Sequence, residues 1–390
     1  MVELAEIVRE AGPAYRQRFA ARMPPSHRTA LRDIARCRTA ALGGHLRPCD
    51  ACQALVYSYH SCRNRHCPKC HGEQTRRWLA QHRARLLPGA YSLLTFTLPA
   101  QLRDVARAHQ TRVYSLLFTA AAESLRTLAA DPRYLGARPG LLAVLHTWTR
   151  ALRSHPHVHL LVTAGGLTPD QATWRDPRSP TFLVPARALS VLFRGKVKAA
   201  LERAGLLPLV RPKAWTKRWV VHVQPAGTGP QVLDSRARSR FRIALANSRI
   251  ERFQAGQVTF RYRDHASGQL QHCRLPAEEF LRRFLQHVLP RGFTKVRAYG
   301  LYSPTAAPAL AHARELLTAR GPTAAPDPST AAPDPTPSPE PTPRPEPTCP
   351  TCRRGVLRII QTLPPAPPVP PPTPPGTRGP PCLPCRHRQA

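Results

Sequence analysis

His155-Pro156-His157-Val158-His159-Leu160-Leu161-Val162-Thr163-Ala164-Gly165-Gly166 is the stretch on which the fold turns. From His157 to Ala164 it reads as a buried strand closed by paired glycines. Strand side chains alternate with period two, so His157 and His159 share one face while Val158 and Leu160 share the other, the core side. Two neutral imidazoles on one face make a seat for a divalent ion that still needs a third ligand. His146, on a neighbouring strand, is a candidate for it. The residues alone equally allow a pair of partly exposed structural histidines. His155 fits the alternation, but Pro156 cannot donate to a ladder, which places His155 in the preceding loop.

Working outward, Tyr91–Leu98 and Leu141–Trp148 read as further buried strands and Trp219–Gln224 as another. A helix from Ala186 buries Leu189, Leu192, Phe193, Val197, Ala200 and Leu201 at helical spacing and stops at Gly205. Residues 231–245 read as a strongly basic helix, 257–264 and 269–275 as a strand pair, and 277–288 as a helix. Upstream, residues 1–36 suggest two short amphipathic helices broken at Gly12-Pro13, the second capped by Ser26. Beyond Thr318 the chain turns to Pro, Thr and Ala, a composition too poor in apolar surface to offset chain entropy, and a disordered tail is expected. The fold class is α+β: an antiparallel or mixed sheet with helices over 91–305, a helical segment 1–36, a zinc-ribbon-like module 37–90 and a proline-rich tail 306–390.

The chain has 390 residues, of which 58 are Lys or Arg against 22 Asp or Glu, a net charge of +36. A charge of that size, spread along the length, asks for a polyanionic partner, and nucleic acid is the natural one. No apolar run reaches the roughly 18 residues of a membrane span, and residues 1–9 carry Glu3 and Glu6 with no signal-peptide core. A cytoplasmic, nucleoid-associated protein is expected, without a membrane partner.

Its 11 cysteines then sit in a reducing compartment, where CxxC spacing means metal ligation rather than disulfides. Cys49-Asp-Ala-Cys52 and Cys67-Pro-Lys-Cys70, 14 residues apart, have near zinc-ribbon spacing and read as the four ligands of one structural Zn²⁺. Cys37, Cys62, His60 and His66 remain for a second zinc. Cys349, Cys352, Cys382 and Cys385 repeat the CxxC logic in the tail as a further zinc site. Cys273 stands alone, a core or surface residue. Arg63 and Arg65 flank the module and are candidate DNA contacts.

The segment around His157 resembles the HUH motif of rolling-circle transposases and replication initiators. Other stretches resemble the rolling-circle insertion-sequence transposases in particular: CRTAALGGHLRPCDAC from Cys37, SCRNRHCPKC from Ser61, TFTLP from Thr95, VLHTW from Val144, LSVLFRGKVKAAL from Leu189, IALANSRI from Ile243, VTFRYRD from Val258 and FLRRFLQHVLPRGFTKVRAYGLYS from Phe280. The resemblance runs over residues 10–305, with the tail CPTC also similar. It implies that His157 and His159 hold Mg²⁺ or Mn²⁺ against a scissile phosphate of single-stranded or hairpin element ends. A tyrosine hydroxyl then attacks, leaving a 5′ phosphotyrosyl link and a free 3′ hydroxyl.

Here the chain departs from its relatives. Where the family carries two tyrosines four apart on a helix, this sequence has Ser235 and Ser239, among Arg236, Arg238, Arg240 and Arg242. The i, i+4 spacing keeps both hydroxyls on one helical face, but an aliphatic hydroxyl ionises far less readily than a phenol of pKa about 10. Either strand cleavage is lost, or another hydroxyl serves, one of these serines or Tyr262, Tyr299 or Tyr302. The arginines read as phosphate contacts. The rival from a different class is a non-catalytic zinc-ribbon DNA-binding protein derived from a mobile element.

Overall fold

A computed structural model describes residues 2–179, 183–229, 232, 243–264, 267–321 and 348–367. Ser235 and Ser239, the arginines between 236 and 242, and Cys382 and Cys385 lie outside these. The chain divides into two units, one of residues 1–37 with 61–343, the other of 38–60 with 344–390. Residues 38–60 and 61–90 of the stretch expected to form one module fall in different units. In order, the helices are α1 (Leu4–Phe19), α2 (Pro25–Arg36), α3 (Pro68–Arg83), α4 (Gln110–Ala130), α5 (Ala186–Arg203), α6 (Ala277–Leu285) and α7 (Ala307–Ala319), with shorter turns between. The principal strands are β1 (Gly44–Pro48), β2 (Leu55–Tyr59), β3 (Ala90–Thr97), β4 (Gly140–Trp148), β5 (Ser154–Thr163), β6 (Val221–Thr228), β7 (Ile250–Gln254), β8 (Gln257–Arg263), β9 (Leu270–Pro276), β10 (Val296–Gly300) and β11 (Gln361–Leu363).

The larger unit is built on a five-stranded sheet, order β10-β4-β5-β3-β6, in which every neighbouring pair is antiparallel. The alternation read from the sequence decides which residues face which layer. Leu94 and Phe96 of β3, Leu141, Ala143 and Leu145 of β4, and Val158, Leu160 and Val162 of β5 point to one face and pack with α4 and α5. Helix α4 presents Val113, Tyr114, Leu117, Phe118, Ala121 and Leu125 there at helical spacing. On the opposite face Tyr91, Leu93, Leu142, Val144 and Leu161 meet Leu79 of α3 and Leu310, Ala313 and Leu317 of α7. Helix α7 is thus a packed element where the proline-rich tail was expected to have begun.

A third cluster joins α1 and α2 to α6 and the β7–β8–β9 meander through Leu4, Ile7, Leu31, Ile34, Phe260, Phe280 and Phe284. Its burial accounts for a departure from the sequence reading. Helix α1 continues through Pro13, although an interior proline costs about 3 kcal/mol, because Leu4, Ile7, Val8 and Tyr15 on either side are anchored in one core. Helix α2 starts on Pro25, with no side-chain cap. Ser26 lies inside its first turn, the fixed φ of proline supplying the start.

Strand β5 also begins earlier than expected, at Ser154, and takes in His155 and Pro156. The missing proline N–H is tolerated because the ladder with β4 is irregular between His146 and Trp148, while the Pro156 carbonyl still accepts from Leu98 N–H at 3.1 Å.

The smaller unit contains the three-stranded sheet β11-β1-β2. Its buried cluster consists of Cys49, Cys349 and Leu357, with Ala54, Val56 and Cys352 partly buried against them.

Candidate metal centre

Register completes the histidine seat. In the β4–β5 ladder His146 stands opposite His157, and Val144 opposite His159, so a histidine two residues beyond Val144 lands on the same sheet face as the pair on β5. One ring nitrogen from each of His146, His157 and His159 falls within a 4.8 Å group. Ring centroids stand 4.8 Å apart for His146–His159 and His157–His159, and 5.2 Å for His146–His157. His146 and His159 are buried, and His157 is partly open.

The surroundings orient the rings. His157 Nδ1 donates to the His155 carbonyl at 2.7 Å. A carbonyl can only accept, so Nδ1 carries the proton and Nε2 is the ring nitrogen with a lone pair to donate. His159 Nδ1 pairs with the Thr95 hydroxyl at 2.9 Å, Thr95 being its cross-strand neighbour on β3. His146 lies flat against Trp148, centroids 4.8 Å apart and planes 15° from parallel. His155 is turned to another use: Arg103 Nη2 reaches its Nδ1 at 3.2 Å, and burial lowers its pKa ahead of the Arg103 charge.

Three convergent imidazoles, two braced through Nδ1, are a donor set that would fit a divalent ion. An all-nitrogen set suits Mn²⁺ better than Mg²⁺, which prefers oxygen ligands and gives up its waters reluctantly. Thr95 is absent from the sequence reading, because a strand threonine carries no signal until register puts it beside a histidine. Thr95→Val is expected to weaken Mn²⁺ binding by about 10- to 100-fold, as loss of an outer-shell partner does elsewhere, with the sheet intact by circular dichroism; unchanged affinity by calorimetry would show that the hydroxyl does not position the ring.

The cysteines fall into two groups, and neither matches the expected quartet. Cys67 and Cys70 group with Cys37 and Cys62, whereas Cys49 and Cys52 group with Cys349 and Cys352. A CxxC turn supplies two corners of a tetrahedron and does not choose the other two. In the first group Cys37 ends α2, Cys67 precedes α3 and Cys70 lies in its first turn, with Cys62 from the loop between. Sulfur separations are 3.5 Å for Cys37–Cys70 and 3.6 Å for Cys62–Cys70. A zinc tetrahedron with Zn–S of 2.3 Å places its sulfurs about 3.8 Å apart, so the group is of the right size. Hydrogen bonds from Cys62 and Cys67 hold the Cys37 thiol's pKa well below the ordinary thiol value.

His60 and His66 join neither group. His60 lies in the smaller unit with its ring edge-on to His45 at 4.8 Å, and His66 Nε2 instead receives the Leu289 N–H at 3.3 Å. Arg65 differs from its expected role: it donates to the Phe293 carbonyl at 2.5 Å and the Pro290 carbonyl at 2.9 Å, a strut within the fold. Arg63 is exposed. Among the tyrosines weighed as alternative nucleophiles, Tyr302 is buried against the Tyr91 hydroxyl at 2.6 Å, and burial pushes its pKa up to about 12. Tyr299 packs against the α4–α5 core and Tyr262 against the N-terminal one. Cys273 is partly buried against that same core.

A family profile described as a transposase zinc-binding domain matches residues 7–98, and one described as a putative transposase matches residues 140–309. The first spans Cys37 to Cys70, in keeping with structural zinc, and the second begins at β4 and takes in all three histidines. The putative transposase y4qJ of Sinorhizobium fredii is 41% identical over 318 residues, 76% of this chain and 79% of that protein. The transposase for insertion sequence element IS801 of Pseudomonas savastanoi pv. phaseolicola is 27% identical over 280 residues, 68% of this chain and 67% of its own length. No solved structure gives a significant match. With one relative 41% identical over 76% of this chain, and family profiles matching the cysteine-rich start and the histidine strands, the chain belongs to the rolling-circle insertion-sequence transposases of the IS91 type.

Proposed function

We propose that this chain descends from a rolling-circle DNA strand transferase, retains its metal seat and its DNA affinity, and has lost the hydroxyl that cuts. The observation that carries this reading is the convergence of His146, His157 and His159, each offering a ring nitrogen within 4.8 Å of the others. An ion bound there would polarise a scissile phosphate and offset the charge that builds on its oxygens. The chain's own part is to hold three lone pairs in one direction. The β4–β5 register sets two of the rings opposite each other, the His155 carbonyl fixes the His157 tautomer, and Thr95 braces His159. The partner is single-stranded or hairpin DNA at the element ends, in keeping with the +36 charge. Arg63 and the arginines at 236, 238, 240 and 242 are the candidate phosphate contacts. Cys37, Cys62, Cys67 and Cys70 hold a structural Zn²⁺ that ties α2 to α3.

Serine at 235 and 239 leaves an alcohol where the relatives' phenol acts, a weaker acid and a side chain too short to reach a phosphate placed for tyrosine. The test is incubation of the full chain with labelled single-stranded element ends and Mn²⁺. The native protein should form no covalent adduct, Ser235→Tyr or Ser239→Tyr should form one, and His157→Ala added to the tyrosine version should abolish it. An adduct with the native chain would refute the loss of cleavage. Silence from both tyrosine versions, with Mn²⁺ shown to be bound, would refute the strand-transferase descent.

A further inference from the structure

The second cysteine group draws its ligands from the two ends of the sequence. Cys49 and Cys52 follow β1, and Cys349 and Cys352 come about 300 residues later: the Cys52–Cys349 pair is 297 positions apart, with sulfurs at 3.7 Å, and Cys49–Cys352 at 3.6 Å. These spacings again match the roughly 3.8 Å edge of a zinc–thiolate tetrahedron. We propose that these four thiolates hold a second structural Zn²⁺, so that the CxxC of the tail is the missing half of the N-terminal ribbon.

Three further features agree. The two CxxC segments adopt the same turn: Gln53 and Arg353, each directly after the second cysteine, both have φ of 58°. Their N–H groups donate back to the Cys49 and Cys349 carbonyls at 3.0 and 2.9 Å. A left-handed backbone at a non-glycine residue is costly and persists where its surroundings demand it. Backbone N–H groups also point at the sulfurs, Cys52 to Cys49 Sγ at 3.5 Å, Thr351 to Cys349 Sγ at 3.4 Å and Gly355 to Cys352 Sγ at 3.4 Å, as suits thiolates.

Next, the halves are fitted to each other. A Cβ at Gly355 would fall onto Cys49 Sγ and within 2.7 Å of Asp50 Oδ1, so only glycine allows the approach. Asp50 clasps Val356 twice, Oδ1 accepting its N–H at 2.8 Å and N–H donating to its carbonyl at 3.2 Å.

Last, among the described residues of this unit apolar burial is slight. Apart from thiols its buried cluster has Leu357, with Ala54 and Val56 partly covered, and a sheet this small needs a covalent or metal staple. Neither family match extends to these tail cysteines, the later ending at residue 309. The proposal stands independently of the histidine seat.

Zinc per chain, measured on the purified full-length protein in a His157→Ala/His159→Ala background so that the histidine seat does not contribute, should be two. It should fall to one in Cys349→Ser/Cys352→Ser and stay at two in Cys382→Ser/Cys385→Ser. Native alkylation followed by mass spectrometry should find Cys49 and Cys52 protected in the parent and modified in the Cys349→Ser/Cys352→Ser variant. Gly355→Val, which keeps all four thiols, should expose the same two cysteines. Zinc retained at two after loss of Cys349 and Cys352, zinc lost with Cys382 and Cys385 instead, or a parent holding one zinc with Cys49 freely alkylated would each overturn the proposal.

Discussion

His159→Ala is expected to abolish measurable Mn²⁺ binding, raising the dissociation constant by well over the 100-fold upper range seen for outer-shell losses. The ring is 3% exposed, stands 4.8 Å from each of the other two imidazoles and is braced by Thr95. Removing it leaves two of the three grouped ring nitrogens and a cavity in the sheet face. Calorimetry on the zinc-loaded full chain measures this directly, and His157→Ala should behave alike. Should either variant bind Mn²⁺ as well as the native chain, the three histidines would be packing residues, and the strand-cleaving ancestry would lose its support. His146→Ala separates the possibilities further: if His146 is a ligand the loss is of similar size, whereas a mere stacking partner of Trp148 would affect stability more than affinity.

The other large effect concerns the first cysteine group. Cys37, Cys67 and Cys70 are at most 5% exposed and belong to the same cluster as Leu4, Ile34 and Phe280. Structural zinc at such sites contributes about 10–16 kcal/mol of apparent binding energy at neutral pH, comparable with or larger than the whole stability of an ordinary domain. Cys70→Ser should therefore unfold the N-terminal layer or yield insoluble protein, and a strong chelator should lower the melting temperature of the native chain by more than about 10 °C. The measurement is a thermal melt with and without chelator, with zinc added back to reverse the change. A melt indifferent to chelator would mean that these four thiols hold no metal.

Much of this molecule is legible without coordinates, for reasons that are local. Period-two alternation in 91–98, 141–148 and 157–164 places Val158 and Leu160 toward the helical layer and the histidines away from it, and this requires only that strand side chains alternate. Helical spacing from Leu189 to Leu201 is equally local, as is the content of a CxxC turn. The stretches quoted around Cys37, His157 and Ile243 led to the transposase family, and the serines at 235 and 239 are visible as a departure in the bare sequence.

Long-range pairing decided the rest. Whether His146 faces His157 depends on the antiparallel register of β4 against β5, since a one-residue slip would turn it to the other face. Whether Cys67 and Cys70 share a metal with Cys49 or with Cys37 depends on where α2 ends and α3 begins, and nothing in CxxC spacing carries that information. The same holds for Cys349 and Cys352, which composition assigned to a structureless tail. A tetrahedral site asks for four sulfurs and is blind to their distance along the chain, so only the folded backbone selects which ones meet.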